Sequence, residues 1–217
     1  NLYTHFFQKE GVTKSVNGVN LSLKQGRVLG LVGESGSGKT MTALSILQLV
    51  PYPGRIVQGE IIYRGMDLLK ADREVMRRIR GKEISIVFQD PTTSLNPVIP
   101  VGTQIEEMLT SHLPISKRQA REGAIDSLRR VGMPDPERII AQYPFQLSGG
   151  MAQRVMLAIA MSLQPNVLIA DEPTSNLDVT LQAEILLQLK MLKQEKKAAI
   201  LLITHDLGVI AQMADEV

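Results

Sequence analysis

Cysteine is absent from the 217 residues, which excludes disulfides and thiolate-held metals within this chain. A reduced compartment fits that absence without being required by it. A strong charge of either sign is also lacking. The formal net charge is only +2, so nothing points to a nucleic-acid polyanion as partner. No apolar run approaches the roughly 18–20 residues that span a bilayer. The longest are Val28-Leu29-Gly30-Leu31-Val32 and Ala198-Ala199-Ile200-Leu201-Leu202-Ile203. No secretory leader, internal repeat or low-complexity segment is visible. The sequence opens at Asn1 without methionine and closes at Val217 just after a helical pattern, and so reads as part of a longer protein.

What is present suits a folded unit. Apolar residues make up 44% and charged residues 21%, enough for a substantial core and far from a disordered composition. At about 150 residues per domain, the length allows one domain, or one with a subdomain.

Short apolar runs alternate with helical patterns, which predicts a mainly parallel α/β sheet. Strands are expected at 28–32, 83–88, 167–170 and 199–203. A helix is expected from Lys39 to Leu49, stopped by Pro51 and Pro53. Residues 1–23, with 19–23 alternating, suit an antiparallel β layer. Between Gln89 and Leu163 strand-like runs disappear, and helical patterns stand at 103–109, 116–131 and 149–163. The expected organisation is therefore an α/β core from 1–89 and 164–217, including the N-terminal β layer. A helical subdomain, 90–163, is inserted into it.

Residues 33–40 read Gly-Glu-Ser-Gly-Ser-Gly-Lys-Thr, which is G-x-x-x-x-G-K-[ST] between a strand and a helix. Gly33, Gly36 and Gly38 let backbone N–H groups, with those of Glu34, Ser35 and Ser37, close around phosphate oxygens. The helix N-terminus adds partial positive charge. Lys39 supplies a point charge for β- and γ-phosphates, and the Thr40 hydroxyl is a Mg²⁺ ligand. Far downstream, the run Val167-Leu168-Ile169-Ala170 ends in Asp171 and Glu172. One carboxylate for the metal and one for the attacking water is what phosphoryl transfer requires. Spacing alone does not say which acid does which.

Three further positions stand out. Gln89 follows a strand at the mouth of the helical insertion, where an amide can touch Mg²⁺ or water. His205 follows the strand that ends in Leu-Leu-Ile-Thr. Ser148-Gly149-Gly150 opens a helix and offers a second anion site at a helix N-terminus, more than one ATP needs from one chain.

The stretch Leu147-Ser-Gly-Gly-Met-Ala-Gln-Arg154 lies between the two halves of the nucleotide site. With it, nearly the whole chain resembles the ATPase subunit of an ABC transporter. The resemblance implies a P-loop NTPase (RecA-like) core with an antiparallel β subdomain and an inserted helical subdomain. It implies Asp171 for the metal, Glu172 as catalytic base, Gln89 as the Q-loop residue that senses the γ-phosphate, and His205 as the switch histidine. It resolves the surplus anion site as well. Two such subunits pair head to tail, and Ser148, Gly149 and Gly150 of one close over the γ-phosphate held by the other. Ser175-Asn176-Leu177-Asp178 matches the D-loop at that interface, with Asn176 where alanine is commonest. Phe6, 27 residues before Gly33, stands where the family stacks an aromatic on adenine; Phe7, Tyr3 and a core-filling role for Phe6 are the alternatives.

The segments 88–97, 143–154 and 171–179 resemble the dipeptide, oligopeptide and nickel importer branch, and Met151 fits it. Gly26-Arg27-Val28-Leu29 and Tyr143-Pro144-Phe145 lean toward nickel-type members, while peptide-type members are the commoner class. The implied role is an ATP- and Mg²⁺-dependent ATPase, peripheral on the cytoplasmic face of the membrane. Its partners would be a second ATPase subunit, the same or related, two permease subunits, and indirectly an extracytoplasmic binding protein; the helical subdomain would grip a cytoplasmic coupling helix of the membrane partner. Substrate is not read by this chain. The rivals are a soluble ABC ATPase acting on nucleic acid or ribosomes, and a regulatory subunit without turnover. The lack of coiled-coil insertions and the near-neutral charge argue against the first. Intact Lys39, Asp171, Glu172 and His205 argue against the second.

Overall fold

The computed structural model describes residues 1–175 and 177–217, leaving out also the side chain of Thr92. Asn176, the departure in the D-loop, therefore lies outside the described residues. The chain begins with a hairpin of β1 (Leu2–Gln8) and β2 (Gly11–Val19). After β3 (Val28–Leu31) and α1 (Lys39–Ile46), β4 (Gly54–Gln58) returns to pair with β1. The resulting antiparallel sheet has the order β2-β1-β4. Thr4 of β1 is fully buried, and its hydroxyl meets that of Ser45 on α1 at 2.7 Å, fastening this sheet to the helix behind the phosphate loop. Residues 20–23 continue no strand, although their alternation suggests one: the ladder ends at Val19, opposite Leu2.

β5 (Ile62–Tyr63) and β6 (Met66–Asp67) form a small hairpin, followed by α2 (Arg73–Ile79) and β7 (Ile84–Val87). β8 (Val167–Asp171) and β9 (Ala199–Ile203) complete the parallel sheet, in the order β3-β9-β8-β7. All of β9 is buried, as expected of a central parallel strand covered on both faces. Its residues alternate between two cores. Ile200 and Leu202 join Leu168, Ala170 and the helices of the insertion, while Leu201 and Ile203 join Ile169, Ala43, Leu47 and Met76 on the side of α1 and α2. A period of two thus persists inside runs with no polar residue to reveal it. The Asp215 carboxylate and the Glu216 carbonyl hydrogen-bond to the edge of β3, accepting from Val28 and Gly30 N–H.

From 90 to 163 the structure holds α3 (Pro91–Ser94), α4 (Val101–His112), α5 (Lys117–Arg130), α6 (Pro136–Ile139) and α7 (Gly149–Met161). Ser116 caps α5 with a reciprocal Gln119 bond, which explains the sharp start at Lys117. Packing does not break at 163. Val155 and Leu157 of α7, Ile105 of α4 and Leu168 of β8 share one core. α8 (Val179–Lys196) and α9 (Leu207–Met213) follow β8 and β9.

The helix expected to run from Lys39 to Leu49 stops at Ile46, well before the prolines. Gln48 takes φ 52°, Gln48 N–H donates to Ser45 O, and Leu49 N–H donates to Leu44 O. That is a Schellman closure with a non-glycine residue in the left-handed position. Arg80 supports it by donating to the carbonyls of Leu47 at 2.8 Å and Gln48 at 3.2 Å.

Candidate nucleotide site

Registers set the site. Leu31, Ile203 and Asp171 are aligned across β3, β9 and β8, and Val87 of β7 pairs with Ala170. The segments beginning at Gly33, Gln89, Glu172 and Thr204 therefore all leave the carboxyl edge of one sheet, where open α/β sheets bind ligands. They line a cleft of about 750 Å³ with Phe6, Gln8, Thr13, Ser15 and Met41.

The phosphate loop is held against the antiparallel sheet. Gly38 has φ 93°, and a Cβ there would sit 2.0 Å from the Ser15 carbonyl oxygen, so no other residue fits without moving β2. At Gly33 a Cβ would meet Ser37 Oγ at 2.8 Å. Lys39 curls over its own loop, its ammonium donating to the Gly33 carbonyl at 2.7 Å and the Glu34 carbonyl at 2.9 Å. The first residues of α1, Lys39, Thr40 and Met41, line the cleft.

Asp171 is 2% exposed. Burial pushes its carboxyl above the usual range; a hydrogen bond from Thr40 opposes the shift, the neighbouring Glu172 charge adds to it, and Lys39 opposes it. One of its oxygens, Oδ1, is buried and has no hydrogen-bond partner among the described residues. A buried carboxylate oxygen with no donor costs free energy unless a cation satisfies it. With the adjacent Thr40 hydroxyl, this hard-oxygen pair fits Mg²⁺, which takes one or two protein ligands beside phosphate oxygens.

Glu172 sits at φ 50°, a left-handed conformation rare outside glycine and concentrated at functional sites. Its N–H donates to Ile203 O at 2.9 Å, which holds the strain in place. Its side chain accepts from the Thr204 hydroxyl at 3.3 Å and lies 2.8 Å from His205 Nδ1. Sequence order separates these residues by more than thirty positions, and only the β8–β9 pairing joins them.

Phe6 lines the cleft, its ring packed beside Gly54. Phe7, on the opposite face of β1, lies under the Arg55 guanidinium at 4.0 Å, and Tyr3 packs edge-on to His5. Neither lines the cleft. Gln8, Thr13, Ser15 and Met41 are lining residues that sequence reasoning missed. The first three come from a hairpin whose position over the phosphate loop carries no local signal.

Ser148, Gly149, Gly150 and Asp178 lie elsewhere. Ser148 caps α7, accepting from Met151 N–H at 3.3 Å, and Asp178 caps α8, accepting from Leu181 N–H at 3.0 Å. Gly149 has open space where a Cβ would be, whereas a Cβ on Gly150 would strike Leu181 at 2.3 Å. Gly150 thus packs against the Leu181 side chain within the chain, and its neighbour Gly149 faces outward.

The sequence profile of the family described as ABC transporter matches residues 16–175. A probable peptide ABC transporter ATP-binding protein, y4tR of Sinorhizobium fredii, is 49% identical over 218 residues, covering 100% of this chain and 65% of that protein. The oligopeptide transport ATP-binding protein OppD of Bacillus subtilis is 49% identical over 95% of this chain and 58% of its own length. The dipeptide transport ATP-binding protein DppD of Escherichia coli is 45% identical over 100% of this chain and 66% of its own length. The chain thus spans 58 to 66% of these curated relatives. Among solved structures, the bacterial cassette MJ0796, a dimer bound to ADP and Pi, superposes with a TM-score of 0.86 at 28% identity, covering 96% of this chain and 88% of that one. CbiO1 of Clostridium perfringens gives 0.77 at 25% identity, over 99% and 82%.

Proposed function

The chain belongs to the ABC transporter family, and we propose that it hydrolyses ATP to drive a membrane importer of peptides. The observation that carries this is the convergence of the phosphate loop, Gln89, Asp171, Glu172 and His205 on one cleft at one sheet edge.

In this reading ATP lies with its triphosphate along 33–40 and its base against Phe6. Lys39 exchanges its two carbonyl partners for β- and γ-phosphate oxygens, so the loop relaxes as the nucleotide enters. Thr40 and Asp171 would hold Mg²⁺, with Gln89 as a further ligand, and the bound ion would supply neutralisation of phosphate charge. Glu172 accepts a proton from the attacking water. The water oxygen then bonds to the γ-phosphorus as the bond to the β-bridging oxygen breaks, leaving ADP and phosphate. His205 and Thr204 fix the carboxylate's orientation, which is worth most when it is set before reaction.

Ser148, Gly149 and Asp178, exposed on this chain, together with the half-buried Gly150, complete the site of a second ATPase subunit, the same or a related one. The subunit sits peripherally on the cytoplasmic face of the membrane. Residues 90–163 act as a helical subdomain that grips a cytoplasmic coupling helix of the membrane partner, the whole assembly has two permease subunits, and an extracytoplasmic solute-binding protein delivers cargo. The peptide transport relatives favour peptides over nickel. Those relatives are transport proteins, and with a net charge of +2 we set aside a nucleic-acid or ribosome role. Glu172→Gln tests the core of the proposal. It should keep ATP bound, lower hydrolysis by the ~10²–10⁴ typical of a lost general base, and accumulate an ATP-bound dimer on gel filtration. Hydrolysis near the parent rate would refute Glu172 as base.

A further inference from the structure

α7 is anchored at its second turn to three parts of its own chain. Gln153, 3% exposed, donates to the Pro173 carbonyl at 2.7 Å, one residue past Glu172. Arg154 forks. One arm donates to the Gly132 carbonyl, in the turn after α5, and the other to the Glu184 carboxylate on the second turn of α8. The Arg154 side chain is largely covered, at 18% exposed, whereas Glu184 is half open. One turn earlier, Gly150 receives Leu181 where a side chain would otherwise stand.

The outcome is geometric. The exposed start of α7, at Ser148 and Gly149, is locked beside the start of α8, capped by Asp178. Through Gln153 it is also tied to the loop that carries Glu172. A planar guanidinium with two separately oriented arms suits such a lock, because it resists rotation as well as separation.

We propose that Arg154 is a positioning residue that, through Glu184, holds the N-terminus of α7 in register with the start of α8 and, with Gln153 bound to Pro173, with this chain's own 171–175 segment. A displacement imposed on either is thereby passed to the other. This rests on the reading that Ser148 and Gly149 meet a nucleotide held by a second subunit. In such a pair, each chain gives its α7 end to one nucleotide and its Glu172 to the other. The Arg154–Glu184 lock then couples the two sites through contiguous, rigid contacts. Neither residue lines the nucleotide cleft of its own chain.

The test is a double-mutant cycle of Arg154→Met and Glu184→Gln in the Glu172→Gln chain. Two quantities are read: ATP binding by the dilute, single chain, and the MgATP concentration that half-saturates dimerisation. Single-chain binding should match the parent in every variant. The dimerisation midpoint should rise by ~5–150-fold, the usual span of coupling between sites, for each single variant. The double variant should be no worse than Arg154→Met alone, since both changes remove one interaction. The proposal is overturned if the single variants dimerise at the parent's midpoint, or if the two effects multiply. Should Arg154→Met fail to fold, Glu184→Gln, near-isosteric at a half-open position, decides the question by its own midpoint. If the parent itself forms no dimer with MgATP, the two-subunit reading fails, and the coupling falls with it.

Discussion

Two helix starts, those of α1 and α7, follow small, glycine-rich segments and look alike in the sequence. Their surroundings differ. The start of α1, with its own Lys39, lies in a cleft with two carboxylates, a histidine and a glutamine drawn in from three other segments. Among the described residues, the start of α7 is not part of that cleft, and its outward glycine, Gly149, meets nothing within 4 Å of a would-be Cβ. Both have the N–H groups and dipole that attract an anion, yet only one has the chemistry to act on it. A helix N-terminus is half a site, and what completes it is decided by the elements packed around it. Under the proposed function, the second half-site is completed by another chain.

Ser148→Arg should break this contrast most severely. An arginine at the exposed start of α7 blocks close approach of a second subunit while leaving the cleft of its own chain untouched. ATP binding by the single chain should stay near normal by calorimetry, whereas dimerisation and hydrolysis should both be lost. Hydrolysis that persisted in the pure variant would mean that the α1 site is complete by itself.

Lys39→Ala attacks the other half. It removes the charge facing the β- and γ-phosphates and should weaken ATP binding by roughly 3 kcal/mol or more, a hundredfold, given that contacts to charged groups contribute ~1.5–3 kcal/mol each. Titration calorimetry giving equal affinity for variant and parent would remove the phosphate-loop assignment. Phe6→Ala should cost less, ~1–3 kcal/mol, the range for stacking of a base on an aromatic ring. Phe7→Ala is the internal control, because its ring lies on the far face of β1 under Arg55; an equal loss from both would contradict the face assignment.

The smallest effect is one of stability. Folding raises the Asp171 pKa above its ordinary 3.8, so the folded chain holds that proton more readily than the unfolded one. The cost is full at pH values above the raised pKa and fades as pH falls toward 3.8. Asp171→Asn should therefore stabilise the nucleotide-free chain by ~1 kcal/mol at neutral pH, a rise in Tm of about 2–4 °C. That advantage should shrink in acid, and MgATP hydrolysis should be abolished. A variant no more stable than the parent at neutral pH, by calorimetric scan, would show that Asp171 bears no such strain.

The parts of this molecule legible in the sequence are those with short-range causes. The strand at 199–203 lies within its apolar run and ends with it, and α5 starts where Ser116 and Gln119 form a cap. The loop at 33–40 is legible because its glycines, lysine and threonine act within eight residues. Less is legible where the cause lies far along the chain. β4 pairs with β1 only because the chain after α1 turns back, and α8 escapes a sequence reading, since Leu and Met scatter around its whole circumference and leave no clean stripe. The end of α1 is misplaced by the sequence because Pro51 and Pro53 are strong local signals. The actual stop is a hydrogen-bonded closure supported by Arg80, the residue that ends α2.

The sequence by itself determined the presence of a phosphate loop, a carboxylate pair and a second glycine-led helix start, because each depends on neighbours in the chain. Tertiary structure alone decided that Glu172 meets His205, that Asp171 keeps one oxygen unsatisfied beside Thr40, that Phe6 rather than Phe7 faces the cleft, and that Arg154 reaches Glu184. Each of these depends on strand register or helix packing; in a strand, a shift of a single residue turns every side chain to the opposite face.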